Sequence, residues 1–187
     1  ELQQMALDLF GEKADVDEEL LYRSNGNSGG CRPKCLLQDE EGSWIVKFRH
    51  TYDPMDMGRM EWSYNDVARR CGIDVPDFKL IDDCYFATKR FDVVDGVRYH
   101  VITAAAMLGV SHQEPSLDYS VLLNLTGWLT QNPKEVEQMF RRMVFNVLAK
   151  NRDDHAKNFS FIYTDSGWHL APAYDLTYSP SGYNGEH

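Results

Sequence analysis

Four cysteines in 187 residues, none of them in a CxxC pair, leave this sequence without the spacing of a structural zinc site. They are Cys31, Cys35, Cys71 and Cys84; Cys31 and Cys35 could pair, but a chain of this size needs no such staple, and free thiols point to a reducing, cytoplasmic setting. No stretch approaches 18 consecutive apolar residues, so a transmembrane helix is not expected and no membrane partner is implied. The opening residues Glu1-Leu2-Gln3-Gln4 have neither the basic nor the apolar region of a signal peptide. Positive charge is also scarce: 19 Lys and Arg against 29 Asp and Glu give a net charge of -10. Such a chain lacks the counterion-release term that dominates non-specific DNA affinity, so little direct nucleic-acid binding is expected. The basic pairs Arg69-Arg70 and Arg141-Arg142 read as solvated helix faces. Neither GxxxxGK[ST] nor GxGxxG occurs, so no standard phosphate loop announces itself.

What is present suits a globular protein. Apolar residues make up 43% and aromatics 12%, enough for one core or for two small lobes sharing a cleft. Met5, Leu7, Leu9 and Phe10 suggest a short opening helix, followed by polar, Gly-rich sequence from Arg23 to Gly30. Cys35-Leu36-Leu37 and Trp44 to Phe48 read as strands joined by a turn at Asp39-Glu40-Glu41-Gly42. Alternation puts Trp44, Val46 and Phe48 on one face and Lys47 with Ile45 on the other. A helix is expected over Glu61 to Cys71, stopped by Gly72, with Met60, Tyr64, Val67, Ala68 and Cys71 as its apolar side. Strands follow at Phe78 to Ile81, Tyr85 to Phe91 and Val97 to Ile102, with Asp95-Gly96 turning between the last two.

Helical sequence then dominates. Tyr119 to Leu129 is one helix. The next has Asn132 as cap, Pro133 in its first turn and Glu135 three residues after the cap. Its apolar positions, Val136, Met139, Phe140, Met143, Val144, Val147 and Leu148, keep the helical period and predict a buried stripe. A hairpin about Thr164 to Gly167 and an aperiodic tail from Tyr178 to His187 complete the chain. The expected organisation is α+β: a β-rich part over residues 1–103 and a mainly helical part over 104–187.

Chemistry concentrates in Asn151-Arg152-Asp153-Asp154-His155-Ala156-Lys157-Asn158 and in Asp175, which the hairpin returns to it. An Asp, an Asn five residues on and a further Asp after a hairpin is how a phosphotransferase holds a base and two magnesium ligands. Asp153 can accept a hydroxyl proton and aim that hydroxyl at phosphorus. Asn158 and Asp175 offer the hard oxygens that magnesium prefers. Taken singly, Asn151, Asp153 and Asp154 could merely cap turns after the helix. Asp154 points elsewhere if Asp153 is the base; His155 could ligate a metal, act as a base or brace the loop through a hydrogen bond, and bracing is preferred because only His169 is close in sequence to complete a soft-metal site; Lys157 either contacts a phosphoryl oxygen or offsets the two aspartates. Lys47, oriented by Glu61, can hold phosphates, although a lone strand lysine is commonly just surface. Ser24 to Lys34 is a candidate nucleotide loop: Gly29 and Gly30 permit close backbone approach to phosphate, and Arg32 and Lys34 favour anion contact, though a flexible surface loop accounts for the glycines nearly as well.

Five blocks together carry a family resemblance: Gly29-Gly30-Cys31-Arg32-Pro33-Lys34, Ile45-Val46-Lys47-Phe48, Lys89-Arg90-Phe91-Asp92, Asn151 through Phe159 and Leu170 through Leu176. The sequence resembles the C-terminal kinase region of HipA-like proteins, serine/threonine kinases of bacterial type II toxin–antitoxin modules. The resemblance implies a two-lobed protein-kinase-like fold with ATP between the lobes, near the connection after Phe91. Lys47 would be the ATP-phosphate lysine, Asp153 the catalytic aspartate, and Asn158 and Asp175 the magnesium ligands. Arg90 and Asp92 would support structure. It also implies a protein substrate among translation components and an antitoxin partner with a DNA-binding domain. Family members carry an N-terminal subdomain before this region and further sequence after it, and Cys31 stands where the common form GGARPK has Ala. Ser24 and Ser28 are the candidates for autophosphorylation. Two other readings stay open: a catalytically weak kinase-fold protein that engages nucleotide and antitoxin, and a metal-dependent hydrolase built on Asp153, Asp154, His155 and Asp175.

Overall fold

Residues 34–48, 56–110 and 118–179 are described by the structure, a computed structural model. The expected opening helix, most of the Gly-rich segment and the end of the tail lie outside them. Strands β1 (Lys34–Asp39) and β2 (Gly42–Lys47) form the anticipated hairpin. Its turn is locked by the Asp39 carboxylate, which accepts from the Glu41 and Gly42 amides at 2.9 and 3.1 Å and from the Trp44 indole at 2.8 Å. Strands β3 (Phe78–Ile81) and β4 (Tyr85–Lys89) extend this to an antiparallel sheet of order β1-β2-β4-β3. The period-2 alternation works as read: Cys35, Leu37, Trp44, Val46 and Phe48 are buried with Ala87 in one core. Each such side chain, fully buried, contributes about 1.5–3 kcal/mol.

Helix α1 (Met57–Arg70) begins earlier than Glu61, and its buried face is not the expected one. Glu61, Asn65 and Ala68 are buried, at the i, i+4, i+7 spacing, while Val67 and Cys71 are exposed. The hydrophobic pattern failed here because the helix buries polar side chains that have partners. Gly72 (φ 75°) does end the helix, its amide returning to the Arg69 carbonyl at 3.0 Å.

By internal contacts, the described residues up to Ser63 together with Pro76–Gly96 form one compact unit; Tyr64–Val75 with those from Val97 onward form another. Between them in sequence lie two-residue strands β5 (Val93–Val94) and β6 (Val97–Arg98), flanking a turn in which Asp95 and Gly96 both have positive φ. The expected single strand Val97 to Ile102 is therefore two. The rest of it, β7 (His100–Thr103), joins a second sheet with β8 (Ser160–Thr164) and β9 (Gly167–Leu170), in the order β7-β8-β9.

In the second unit a short helix α2 (Ala104–Leu108) is followed by α3 (Tyr119–Thr130) and α4 (Pro133–Leu148). Asn132 caps α4, accepting from the Lys134 amide at 3.1 Å. Glu135 does more than complete that cap: it accepts from the Leu170 amide at 2.6 Å and pairs with His169 at 2.9 Å, tying the start of α4 to β9. The core comprises Ala104, Leu122, Leu125, Met139, Phe159, Phe161 and Leu170.

The predicted apolar stripe of α4 is corrected. Met139 is buried, but Phe140, Val144, Val147 and Leu148 are exposed, and the inward face instead carries Arg142, Phe145 and Asn146. Arg142, expected to be solvated, is only 2% exposed. The outward residues Phe140, Val144 and Leu148 line an open groove of about 700 Å³ with Val67 and Cys71.

Candidate active site

Lys47 and Glu61 form an ion pair within the first unit, from the end of β2 to the second turn of α1. Their side chains are 11% and 2% exposed, so the pair is almost wholly withdrawn from water. Such a carboxylate is tolerable only because a cation and hydrogen bonds meet it. Register sets the surroundings of Lys47: Lys34 lies opposite it on β1 and Phe86 opposite it on β4. Directly opposed residues share a face, and the Phe86 ring lies 5.8 Å from the Lys47 Nζ.

Gly58 sets the depth of α1. A Cβ there would stand 1.9 Å from the Cys84 carbonyl oxygen, closer than any side chain can come. One turn later comes Glu61, so only glycine at 58 lets the helix bring that carboxylate to Lys47. Arg90, beyond the end of β4, grips Asp92 with a two-pronged contact at 2.9 and 2.5 Å, and its amide donates to the Ser43 carbonyl at 2.8 Å. The Asp92 carboxylate raises the Arg90 guanidinium pKa despite burial. A cavity of about 530 Å³ opens beside this segment, walled by the β1–β2 turn, Lys89, Arg90, Phe91 and the Asp95-Gly96 turn.

The acidic loop belongs to the second unit. After α4 the chain turns at Lys150 (φ 55°), and Asn151 bridges to Ser179. Arg152 to His155 is irregular, and Ala156–Asn158 is a single 3-10 turn. The Asn158 side-chain amide donates to the Asp153 carbonyl at 2.6 Å, and its backbone amide donates to the His155 carbonyl at 2.8 Å. With its nitrogen committed, Asn158 has its Oδ1 to offer a hard cation, which is the atom a magnesium site requires. Asp153 keeps an exposed side chain, with the His155 Nε2 3.6 Å from its Oδ1. At that separation the two are not hydrogen-bonded, so His155 braces the loop through its carbonyl rather than through its ring.

Asp175 follows β9 on the segment Ala171–Tyr174. The Tyr174 hydroxyl donates to the Lys157 carbonyl at 2.7 Å and meets the Ser160 hydroxyl at 2.5 Å. Tyr174 precedes Asp175 and Lys157 precedes Asn158, so this one hydroxyl fastens together the segments bearing the two candidate magnesium ligands. Burial pushes the Tyr174 phenol up to about 12, which keeps it a neutral donor. Below, the buried Arg142 donates to the Ala171 carbonyl at 2.7 Å. Burial lowers its guanidinium to about 10, against the pull of Asp74, Tyr174 and Glu135. Asp175 itself has φ 54°, a sparsely populated backbone state that Asp tolerates better than most residues and that surrounding contacts must hold.

The predicted residues thus fall into two groups. Asp153, His155, Lys157, Asn158 and Asp175 are gathered in the second unit, and Lys47, Glu61 and Lys34 in the first. Gly29, Gly30, Arg32, Ser24 and Ser28 lie outside the described residues. Asp154 is turned away from the loop's exposed side, its carboxylate accepting from the Tyr119 hydroxyl. His169 is engaged by Glu135 and, at 2.7 Å, by Ser166. Among the described residues no group of three or more His, Cys, Asp and Glu side chains is arranged to hold a metal ion. Tyr119, Asn146, Arg142, Tyr174 and Gly58 were not singled out from sequence. A signal existed for two of them, since Arg142 and Asn146 share the face of Met139 at offsets of three and seven.

The architecture is that of protein-kinase-like structures. A chain of the Shewanella oneidensis MR-1 toxin–antitoxin complex of HipA, HipB and operator DNA matches with a TM-score of 0.67 at 23% identity, over 81% of this chain and 43% of that one. The Helicobacter pylori proinflammatory kinase CtkA matches with a TM-score of 0.58 at 17% identity, over 76% of this chain and 54% of that one. At the level of sequence, residues 26–186 match the model of the HipA-like C-terminal domain, and the chain belongs to that family. It is also similar to two Sinorhizobium fredii proteins. "Putative kinase Y4dM" is 32% identical over 72% of this chain, and "Putative kinase Y4mE" is 43% identical over 22% of it. The chain spans 37% of the length of Y4dM and 10% of Y4mE.

Proposed function

We propose that this chain is the phosphotransferase domain of an ATP- and magnesium-dependent HipA-like protein serine/threonine kinase. What supports this reading is that the Asn158 side chain is fastened to the Asp153 carbonyl and the Tyr174 hydroxyl to the Lys157 carbonyl, so that the segments bearing the proposed base and oxygen ligands adjoin. In the transfer, a substrate hydroxyl oxygen bonds to the γ-phosphorus as the bond to the ADP oxygen breaks, and the hydroxyl proton passes to Asp153. Magnesium, when bound, supplies charge neutralisation on the phosphoryl oxygens. Asn158 and Asp175 would hold it, and Lys157 would contact the transferred group. Lys47, held by Glu61 and flanked by Lys34, would bind the α- and β-phosphates. Gly29, Gly30 and Arg32 are the sequence candidates for further phosphate contacts. The substrate is a protein hydroxyl, with translation components as the class the family resemblance favours, and the partner an antitoxin with a DNA-binding domain in a cytoplasmic setting.

The test is γ-phosphate transfer from ATP by the protein that carries this chain and by its Asp153→Ala and Asp175→Ala variants. Each variant is expected to lose at least about 100-fold in transfer. Unchanged transfer in either would sink the role given to that residue. Binding of magnesium-ATP without transfer to itself or to any protein of a cell extract would favour the weaker reading, a kinase-fold interaction protein.

A further inference from the structure

A largely buried polar chain runs behind the acidic loop, built from residues given no catalytic role. The Asn151 side-chain amide donates to the Asn146 Oδ1 at 3.1 Å, and the Asn146 amide donates to the Tyr119 hydroxyl oxygen at 2.9 Å. The Tyr119 hydroxyl in turn donates to the Asp154 carboxylate. All three donors point the same way, toward the anion, so each bond polarises the next. Asn146 and Asn151 are 4% and 3% exposed, and the Asn151 amide also donates along the main chain to the Asn146 carbonyl at 2.9 Å. Burial, and after it the Asp154 carboxylate, push the Tyr119 phenol well above its ordinary value, so it stays a donor at any working pH.

The ends of this chain bracket one residue. Asn151 stands two positions before Asp153 and Asp154 one position after it, and both are fastened to the same interior point between α3 and α4. With Asp154 drawn inward, Asp153 presents its carboxylate on the exposed side, 52% accessible. Resting on the phosphotransferase reading, we infer that Tyr119 and Asp154, through Asn146 and Asn151, are positioning residues that fix the direction of the Asp153 carboxylate. Neither touches substrate or the reacting atoms.

Tyr119→Phe tests this with little disturbance, because the ring keeps its edge contact with Phe159, 5.8 Å between centroids. The expected result is a fall of about 10- to 100-fold in kcat with KM for ATP within about twofold, since misplacing the base costs rate but not nucleotide binding. Asp154→Ala should match it, while Asp154→Asn, which keeps an acceptor for the Tyr119 hydroxyl, should stay within about fivefold of the wild type. Independently of activity, amide hydrogen exchange over Arg152–Asn158 should quicken by about tenfold in Tyr119→Phe with α4 unchanged. Unchanged loop exchange overturns the relay whatever the activity. A fall in kcat matched by an equal rise in KM and by faster exchange across α4 also overturns it, as general loosening. A wild-type protein without any transfer overturns the phosphotransferase reading instead, and loop exchange still decides whether the relay holds the loop.

Discussion

In the first unit the candidate phosphate lysine is delivered by regular structure, and in the second the carboxylates are delivered by irregular chain. Lys47 sits at the end of a central strand and Glu61 on a helix whose depth is set by the bare Gly58, so register and close packing put the charges together. Asp153 and Asp175 sit on irregular chain and Asn158 ends a single 3-10 turn, so no strand or long helix fixes their side chains. Their positions come from hydroxyl, amide and carbonyl groups: Tyr174 on Lys157, Asn158 on Asp153, Tyr119 on Asp154. A buried ion pair is held by strong fields and is intolerant of losing one partner. A lattice of single hydrogen bonds, with the one onto Asp154 made to a charged group, loses roughly 1–3 kcal/mol at a time. The first arrangement suits a static anchor, and the second suits ligands that must be aimed.

The largest effect should come from halving the ion pair. Lys47→Ala leaves Glu61, 2% exposed, without the cation that meets it, and should destabilise the protein by about 3–5 kcal/mol in urea unfolding. Replacing both partners, Lys47→Met with Glu61→Leu, should recover most of that stability without recovering any phosphotransfer. If Lys47→Ala unfolds at the wild-type urea concentration, the pair is not the structural anchor described and the contrast between the units collapses.

The unequal support also explains what could be read from the sequence. Alternation in β1 and β2 gave the sheet, the face of Lys47 and the core, because strand period 2 leaves few choices once Trp44, Val46 and Phe48 are seen. The cap of α4 at Asn132 was legible for the same local reason. The buried faces of α1 and α4 were not. Both helices turn inward polar side chains, Glu61 and Asn65 in one, Arg142 and Asn146 in the other, whose burial depends on partners distant in sequence. Hydrophobic spacing assigns Phe140, Val144 and Leu148 to the core and Arg142 to solvent, the reverse of what is found. Within the candidate site the residue types of Asp153, Asn158 and Asp175 were legible, but the hydroxyls that aim them, Tyr119 and Tyr174, are ordinary tyrosines in apolar surroundings until the fold supplies their acceptors.

An intermediate effect is expected from the second unit. Tyr174→Phe keeps the ring but removes the bond to the Lys157 carbonyl and the contact with Ser160. Two buried groups lose a partner, so stability should fall by about 1–3 kcal/mol, less than for Lys47→Ala. The functional cost should appear in the magnesium dependence, as a higher half-saturating concentration, because the segments bearing Asn158 and Asp175 are no longer fastened together. A variant with lower stability but an unchanged magnesium requirement would show that Tyr174 supports the core alone.

The smallest effect probes the other side of the comparison, whether charge also governs the turn end of the first sheet. Burial alone would raise the Asp39 carboxyl pKa, but hydrogen bonds from Lys79, the Trp44 indole and the Glu41 amide outweigh it and hold that pKa below 3.8. Lys79 donates at 3.0 Å to Asp39 and at 2.8 Å to Glu41, with its ammonium 4.0 Å from the Trp44 ring centroid. Because the folded-state pKa is depressed, the unfolded chain takes up the proton first as the solution is acidified. The contribution is therefore complete above the unfolded value of about 3.9 and is lost as the pH falls through the folded one. Asp39→Asn keeps an acceptor for the indole and the amides but has no proton to take up. The stability difference between wild type and Asp39→Asn should be constant from about pH 7 to pH 5 and shrink steadily below about pH 4, measured by urea unfolding across that range. A difference independent of pH would mean that Asp39 acts as a turn acceptor and not as a charge, leaving the withdrawn Lys47–Glu61 pair as the ionic contact whose loss the first unit should feel most.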